Sequence, residues 1–152
     1  MITIRPAHPT DIPTLLQFEQ GVIAAERPYD PTLKEGTINY YDLPAMIAST
    51  NVELLVAEAD GRLVGSGYAR LENARLYLDH AVYAYLGFMY VDPGYRGQGI
   101  NNLILDALGK WALTRGVTEL RLEVYPDNAT AIRAYEKAGF SPILITMRRR
   151  TQ

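Results

Sequence analysis

The stretch Val91-Asp92-Pro93-Gly94-Tyr95-Arg96-Gly97-Gln98-Gly99-Ile100 joins two segments of different periodicity. Before it, Val82 to Val91 is apolar on both faces and reads as a strand inside a sheet. After it, Ile100, Leu103, Ile104, Ala107, Leu108, Trp111 and Ala112 recur at spacings of three and four, the mark of an amphipathic helix that Gly116 stops. Gly97 and Gly99 leave the main chain bare, and the start of the helix aims unpaired N–H groups and a partial positive charge at the same place. A phosphate group suits such a strand-loop-helix. The P-loop pattern is absent, because no Lys-Ser or Lys-Thr follows these glycines, and Asn102 stands where a dinucleotide fingerprint has its third glycine.

Outward from this junction, the N-terminal half reads as a short strand at Ile2 to Arg5 and a helix capped by Thr10 or Asp11, with Leu15, Leu16, Phe18 and Val22 as its apolar stripe. An irregular, tyrosine-rich segment follows from Glu26 to Asp42, and a short helix closes it before Ser49. Val52 to Glu58 and Arg62 to about Leu76 are strands of a hairpin turned at Asp60-Gly61. In the C-terminal half, Leu120, Leu122 and Val124 alternate with Glu119, Arg121 and Glu123, as in a strand with one apolar face. Asn128 caps a second helix that buries Ala131, Ile132, Tyr135 and Ala138 and stops at Gly139. Ile143 to Met147 is expected to form one last strand. The sum is a mixed α/β sheet, a hairpin half followed by a strand-helix-strand-helix-strand half, in a single domain of 152 residues.

Composition narrows the function. Fifteen Lys and Arg against 17 Asp and Glu give a net charge of -2, so no overall basic field exists for nucleic acid or an anionic membrane, and an anion must be bound locally. Arg148-Arg149-Arg150 reads as a solvated tail or as a charge partner in a homodimer. The absence of cysteine excludes disulfides, thiolate metal sites and a cysteine nucleophile, and two histidines, His8 and His80, are poor material for a metal site, so none is expected. Neither a signal peptide nor a membrane span is apparent, which points to the cytoplasm.

Two motifs in register resemble the GCN5-related N-acetyltransferases. Val91-Asp92-Pro93 and Arg96-Gly97-Gln98-Gly99-Ile100-Asn101 match that family's strand end and its Gln/Arg-x-x-Gly-x-Gly/Ala coenzyme A loop, with Asn101 where Gly or Ala is usual. Val124, Asn128, Ala131, Tyr135 and Gly139-Phe140 match its second motif. The resemblance implies a mostly antiparallel central sheet flanked by helices, a splayed strand-loop-helix site and acetyl-CoA as co-substrate. It implies that the main chain of Met89, Tyr90 and Val91 holds the pantetheine arm and that the amides of Arg96, Gly97, Gln98, Gly99, Ile100 and Asn101 hold the pyrophosphate. An amide of Met89 or Tyr90 then faces the oxyanion, Asn128 also reaches the pantetheine, and Tyr135 serves as general acid. The family often carries a glutamate where Tyr85 stands here, so Glu123, Glu26 or backbone-bound waters are the candidates for the base. The family usually closes with two strands, whereas this chain has residues for one.

The reaction implied is direct transfer of acetyl to a primary amine of a small molecule or peptide. The alternative is a coenzyme A-binding sensor that has lost the chemistry, favoured by Tyr85 and Asn101. The acceptor site is expected between Glu26 and Asp42 and around Leu76 to Val82, where Glu26, Asp30, Glu35 and Asp42 outnumber Arg27 and Lys34 among several tyrosines.

Overall fold

In the computed structural model, which describes residues 1–152, Asp60 and Gly61 both take positive φ (52° and 78°) and turn β2 (Val52–Ala59) into β3 (Arg62–Asn73). A two-residue turn of that hand matches the twist of the strands it joins. β1 (Ile2–Pro6) pairs antiparallel with the free side of β2, and β4 (Val82–Val91) pairs antiparallel with β3. β5 (Leu120–Arg121) joins β4 in parallel, giving a five-stranded mixed sheet in the order β1-β2-β3-β4-β5. β4 is thus interior, as its two apolar faces require.

Alternation along β2 divides the core. Leu54 and Val56 face α1 (Ile12–Glu26) and α2 (Leu43–Ala48), where they meet Leu15, Phe18 and Leu43. Leu55 and Ala57 face the other way, onto Ile100, Ile104, Leu105, Leu108 and Ala112 of α3 (Ile100–Thr114). Side chains two residues apart share a face, so one strand serves both layers. The last helix, α4 (Ala129–Lys137), starts where Asn128 Oδ1 accepts the Ala131 N–H at 3.2 Å and stops before Gly139, whose φ is 97°. No helix is long and apolar enough to cross a membrane.

Four expectations need correction. Asp11 stands at the N-cap of α1 but makes no side-chain cap bond: a 3-10 turn at Pro9–Asp11 precedes the helix, and the Asp11 carboxylate turns back to the His8 N–H (2.7 Å) and the Arg5 guanidinium (2.8 Å). β5 ends at Arg121 rather than continuing to Val124, because there its partner strand departs from it. Ile143 to Met147 forms no strand: no hydrogen bond pairs it with another segment, and Pro142 just before it lacks a backbone donor. Leu16, placed in the apolar stripe of α1, is 43% exposed; the stripe runs instead through Leu15, Phe18, Glu19 and Ile23.

Glu19 is the unexpected member. It is wholly buried, and its Oε2 accepts the N–H groups of Tyr40 and Tyr41, both at 2.8 Å, while Oε1 has no partner. This carboxylate therefore docks the irregular segment onto α1 across a long stretch of sequence. Replacing Glu19 by Ala leaves two partly buried N–H groups without their acceptor and is expected to lower stability by about 2–4 kcal/mol in urea denaturation, with Glu19→Gln, which keeps an acceptor oxygen, losing less.

Candidate active site

β4 and β5 part company. Only Ala84↔Leu120 and Tyr85↔Arg121 are paired, yet β4 continues to Val91, so the later half of β4 borders an open cleft. A bulge shapes that border. Phe88 has φ of 55°, rare for a residue with a side chain, and the β3 register slips between Ser66 and Tyr68 opposite it. The slip changes the phase of the strand: Ala84 and Leu86 belong to the α3 side of the core, whereas Phe88 belongs to the α1 side. Asp92 N–H donates to Val64 O, so by alternation Tyr90 also turns its main chain to β3, and Met89 and Val91 turn theirs to the cleft. The buried Ser66 hydroxyl donates to Phe88 O at 2.9 Å and holds the bulge in place. Ser66→Ala leaves that carbonyl unpaired and should cost about 1–3 kcal/mol, read as a lower denaturation midpoint.

Beyond β4 the loop is built for an anion. Gly97 and Gly99 both have φ of 78° with nothing within 4 Å of a would-be Cβ, so glycine is needed there for conformation rather than for space inside the protein. None of the backbone N–H groups from Arg96 to Asn102 donates a hydrogen bond within the chain. The Arg96 guanidinium turns back to Val91 O at 3.3 Å. Ile100 and Ile104, fully buried against the sheet, anchor the helix whose start presents these amides. Asn101 adds its unengaged amide to the row.

Tyr135 lies on the inner side of α4, its ring against Phe140 (6.0 Å between centroids, edge-on) and its hydroxyl without a protein partner. Burial, and then the charge of Glu26, push its phenol above the ordinary range. Glu26, at the end of α1, is half-buried; burial raises its carboxyl, the Tyr40 hydroxyl beside it opposes that, and Asp30 adds to it. Tyr85, standing where the resembled family often has glutamate, donates its hydroxyl to Glu123 Oε1 at 2.8 Å, and its own ionisation is pushed up by burial and by that bond. Arg70 lies over the Tyr85 ring at 5.3 Å. Tyr125 donates to Asp30 Oδ2 at 3.0 Å and stacks on Tyr29 at 5.9 Å, while burial and Asp30 push its phenol up to about 12. These bonds tie the irregular stretch after β5 to the segment that begins at Glu26.

The structure thus gathers Glu26, Asp30, Tyr29, Tyr40 and Tyr125 on one side of the cleft. It engages Asp42 elsewhere, as the cap of α2 through the Ala45 N–H at 3.2 Å. The Leu76 to Val82 turn shares no hydrogen bond with this group; Leu76 and Tyr77 stand in solvent, and His80 contacts Asp79 and Arg121. Sequence reasoning missed Ser66, Glu19 and the Tyr125-Asp30 bond. A lone Glu among the apolar positions of α1 was the one available signal.

A parted parallel strand pair with a bulged strand is followed by a loop and helix start whose amides are unengaged and face the same cleft edge. Residues 21–140 match the model of the acetyltransferase (GNAT) family, and the chain belongs to that family. It is 41% identical over 89 residues to the acetyltransferase SG1711 of Sodalis glossinidius, an alignment covering 57% of this chain and 55% of that protein; the chain therefore matches about half the length of such relatives. Its fold superimposes on a variant of the BH1408 protein of Bacillus halodurans (TM-score 0.86, 20% identity, 99% of both chains). It also superimposes on a predicted acetyltransferase of Clostridium acetobutylicum, determined with acetyl-CoA (TM-score 0.74, 19% identity, 99% of this chain and 96% of that one).

Proposed function

We propose that this protein transfers an acetyl group from acetyl-CoA to a primary amine by direct attack in a ternary complex. The observation that carries the reading is the row of unengaged amides from Arg96 to Asn102 continuing the cleft edge at Met89 and Val91. That row fits a pyrophosphate and the cleft edge fits a pantetheine chain, without any net positive charge. Acetyl-CoA, when bound, supplies an activated thioester. In this reading the Met89 N–H, turned to the cleft, serves the developing oxyanion, and such a donor contributes a few kcal/mol in acyl transfers. Tyr90 plays its part through its ring, stacked on Phe18 at 4.5 Å, and Asn128 through its cap. Tyr135 stays protonated at neutral pH and offers its hydroxyl to the departing thiolate. The absence of cysteine agrees with direct transfer rather than a cysteine acyl-enzyme.

A primary amine with a pKa near 10.4 is mostly an ammonium at neutral pH and needs a proton acceptor. Glu26 takes that role in our reading, because its raised carboxyl is closer to the amine than an ordinary glutamate and its charge is felt at Tyr135. Tyr29, Tyr40 and Tyr125 provide faces for the cation. A base must be ionised to work, so the acid limb of the rate should lie above the usual carboxylate range. In Tyr40→Phe, which removes a group that lowers Glu26, the limb should move further up. Glu26→Gln should lower kcat about 100-fold or more and abolish the limb; if the limb survives that change and disappears in Glu123→Gln, the base is Glu123.

The reading as a whole is tested by calorimetry with acetyl-CoA, followed by thiol release against polyamines, amino acids and peptide N-termini. Saturable binding and turnover on at least one amine are expected. Failure to bind acetyl-CoA overturns the reading, and binding without turnover on any amine would favour a coenzyme A-binding module.

A further inference from the structure

From Lys34 to Tyr41 the chain forms no helix or strand and no backbone–backbone hydrogen bond. Side chains of α1 and of the turn after it hold the stretch instead. The Arg27 guanidinium donates to Lys34 O at 2.9 Å and to Gly36 O at 2.6 Å, and Gln20 Nε2 donates to Ile38 O at 2.9 Å. Glu19 Oε2 takes the two amides that follow, those of Tyr40 and Tyr41. The first three bonds are exposed and compete with water, whereas Glu19 is wholly buried, so its charged grip is the firmest. The two residues it grips reach two different places. The Tyr40 hydroxyl lies beside the Glu26 carboxyl. The Tyr41 ring stacks on Phe88 at 4.5 Å and meets Tyr68 edge-on at 5.8 Å. Phe88 is the positive-φ residue of the bulge, one position before Met89.

We propose that Glu19 is the positioning residue for the amine side of the site, setting Tyr40 beside the proton acceptor and Tyr41 on the bulge that turns Met89 to the cleft. The inference rests on the acetyl-transfer reading and adds a residue that reading does not use. Docking the stretch onto α1 needs no carboxylate, because Leu15, Phe18 and Leu43 already supply apolar packing there. Such packing has no direction, whereas a hydrogen bond does, and a buried carboxylate is costly unless it is paired. Two adjacent amides meeting on one oxygen fix both tyrosines to α1 as a unit. The bulge is then held twice, at its carbonyl by Ser66 and at its ring by Tyr41. Glu26 is faced by the Tyr40 hydroxyl and the Asp30 carboxylate, and its charge reaches Tyr41, Tyr125 and Tyr135. Tyr40 and Tyr41 are the two of these that hang from Glu19. With Tyr40 withdrawn, Glu26 loses the neighbour that lowers its carboxyl, so the acid limb of the rate moves up.

The test uses the full chain, acetyl-CoA and the best amine of the panel, at a temperature where far-ultraviolet circular dichroism shows each variant folded. Glu19→Ala should lower kcat/KM for the amine about 100-fold, the scale of a misplacement of about 1 Å, while the acetyl-CoA Kd stays within about twofold. Its acid limb should move up as in Tyr40→Phe, and adding Glu19→Ala to Tyr40→Phe should move the limb by less than the sum of the two. Glu19→Gln keeps an oxygen for the two amides and puts its NH2 where Oε1 has no partner, so it should recover about tenfold or more of the loss. Should Glu19→Ala not fold, Glu19→Asp, one methylene shorter, takes its place with the same expectations. A role in stability alone predicts a lower denaturation midpoint with the limb and kcat/KM of wild type; that result, or limb shifts that add in full, overturns the proposal. The two readings fail separately. No turnover of any amine by wild type overturns acetyl transfer and this proposal with it, whereas wild-type turnover with unaltered Glu19 variants overturns this proposal alone. A limb that survives Glu26→Gln removes Glu26 as the base, and the kcat/KM loss with its recovery in Glu19→Gln then decides for or against Glu19.

Discussion

Tyr135→Phe is expected to lower kcat about 100-fold while leaving the Kd for acetyl-CoA within about twofold and the denaturation midpoint unchanged. The substitution keeps the ring that packs edge-on against Phe140 and removes only a hydroxyl that no protein group engages. Any loss therefore belongs to the reaction and not to the core. A thioester sulfur is a poor hydrogen-bond acceptor, whereas a departing thiolate is a strong one, so the bond forms mainly in the transition state and appears in kcat. With reference values of about 10 for tyrosine and about 8.5 for a thiol, full proton transfer is already uphill by about 2 kcal/mol. Burial and Glu26 raise the phenol further, so the hydroxyl works as a hydrogen-bond donor that keeps its proton. Stopped-assay thiol release with the best amine of the panel checks this, and an unchanged kcat would remove Tyr135 from the reaction.

Gly99→Val should weaken acetyl-CoA binding about 100-fold or more without unfolding the protein. At φ of 78° a β-branched residue is strained by about 1–2 kcal/mol, yet nothing lies within 4 Å of the new Cβ. A melting temperature lower by several degrees is the whole expected structural effect. The binding loss comes from the methyl groups standing over the amides from Arg96 to Asn102 and from the shift of those amides out of line. Gly99→Ala should fall between, near tenfold. Arg96→Ala should change little, because its guanidinium is turned to Val91 O and its amide survives the substitution. Calorimetry on the three variants separates a backbone cradle from a side-chain one: a large loss in Arg96→Ala with normal binding in Gly99→Val would reverse the assignment.

Much of this was legible in residue order. The Asp60-Gly61 turn, the Asn128 cap, the stops at Gly116 and Gly139 and the bare main chain at Gly97 and Gly99 each depend on a few neighbouring residues. The physics that decides them is local: positive φ, an orphan N–H, a side chain in reach. The alternation of β2 and the period of α3 likewise announced which faces would be covered. At Thr10 and Asp11 the local signal marked the start of α1, with Asp11 at the N-cap, but not the bond of the carboxylate, because Arg5 competes for it from the neighbouring strand.

The sequence by itself thus determined most of the elements, their order, the bare-backbone loop at Gly97 and Gly99 and the family. Tertiary structure alone decided the phase change at Phe88 that turns Met89 to the cleft, the parting of β5 from β4 after Arg121, and the partners of Glu19, Tyr85 and Tyr125. Each of those rests on the register between strands or on side chains brought together from distant segments. Register is a property of a pairing, not of a strand, so the pattern of Val82 to Val91 could announce burial on both faces but not the residue at which the faces exchange. The same reason explains Ile143 to Met147. Its residues specify a strand, and only the fold shows that no hydrogen bond pairs it with another segment.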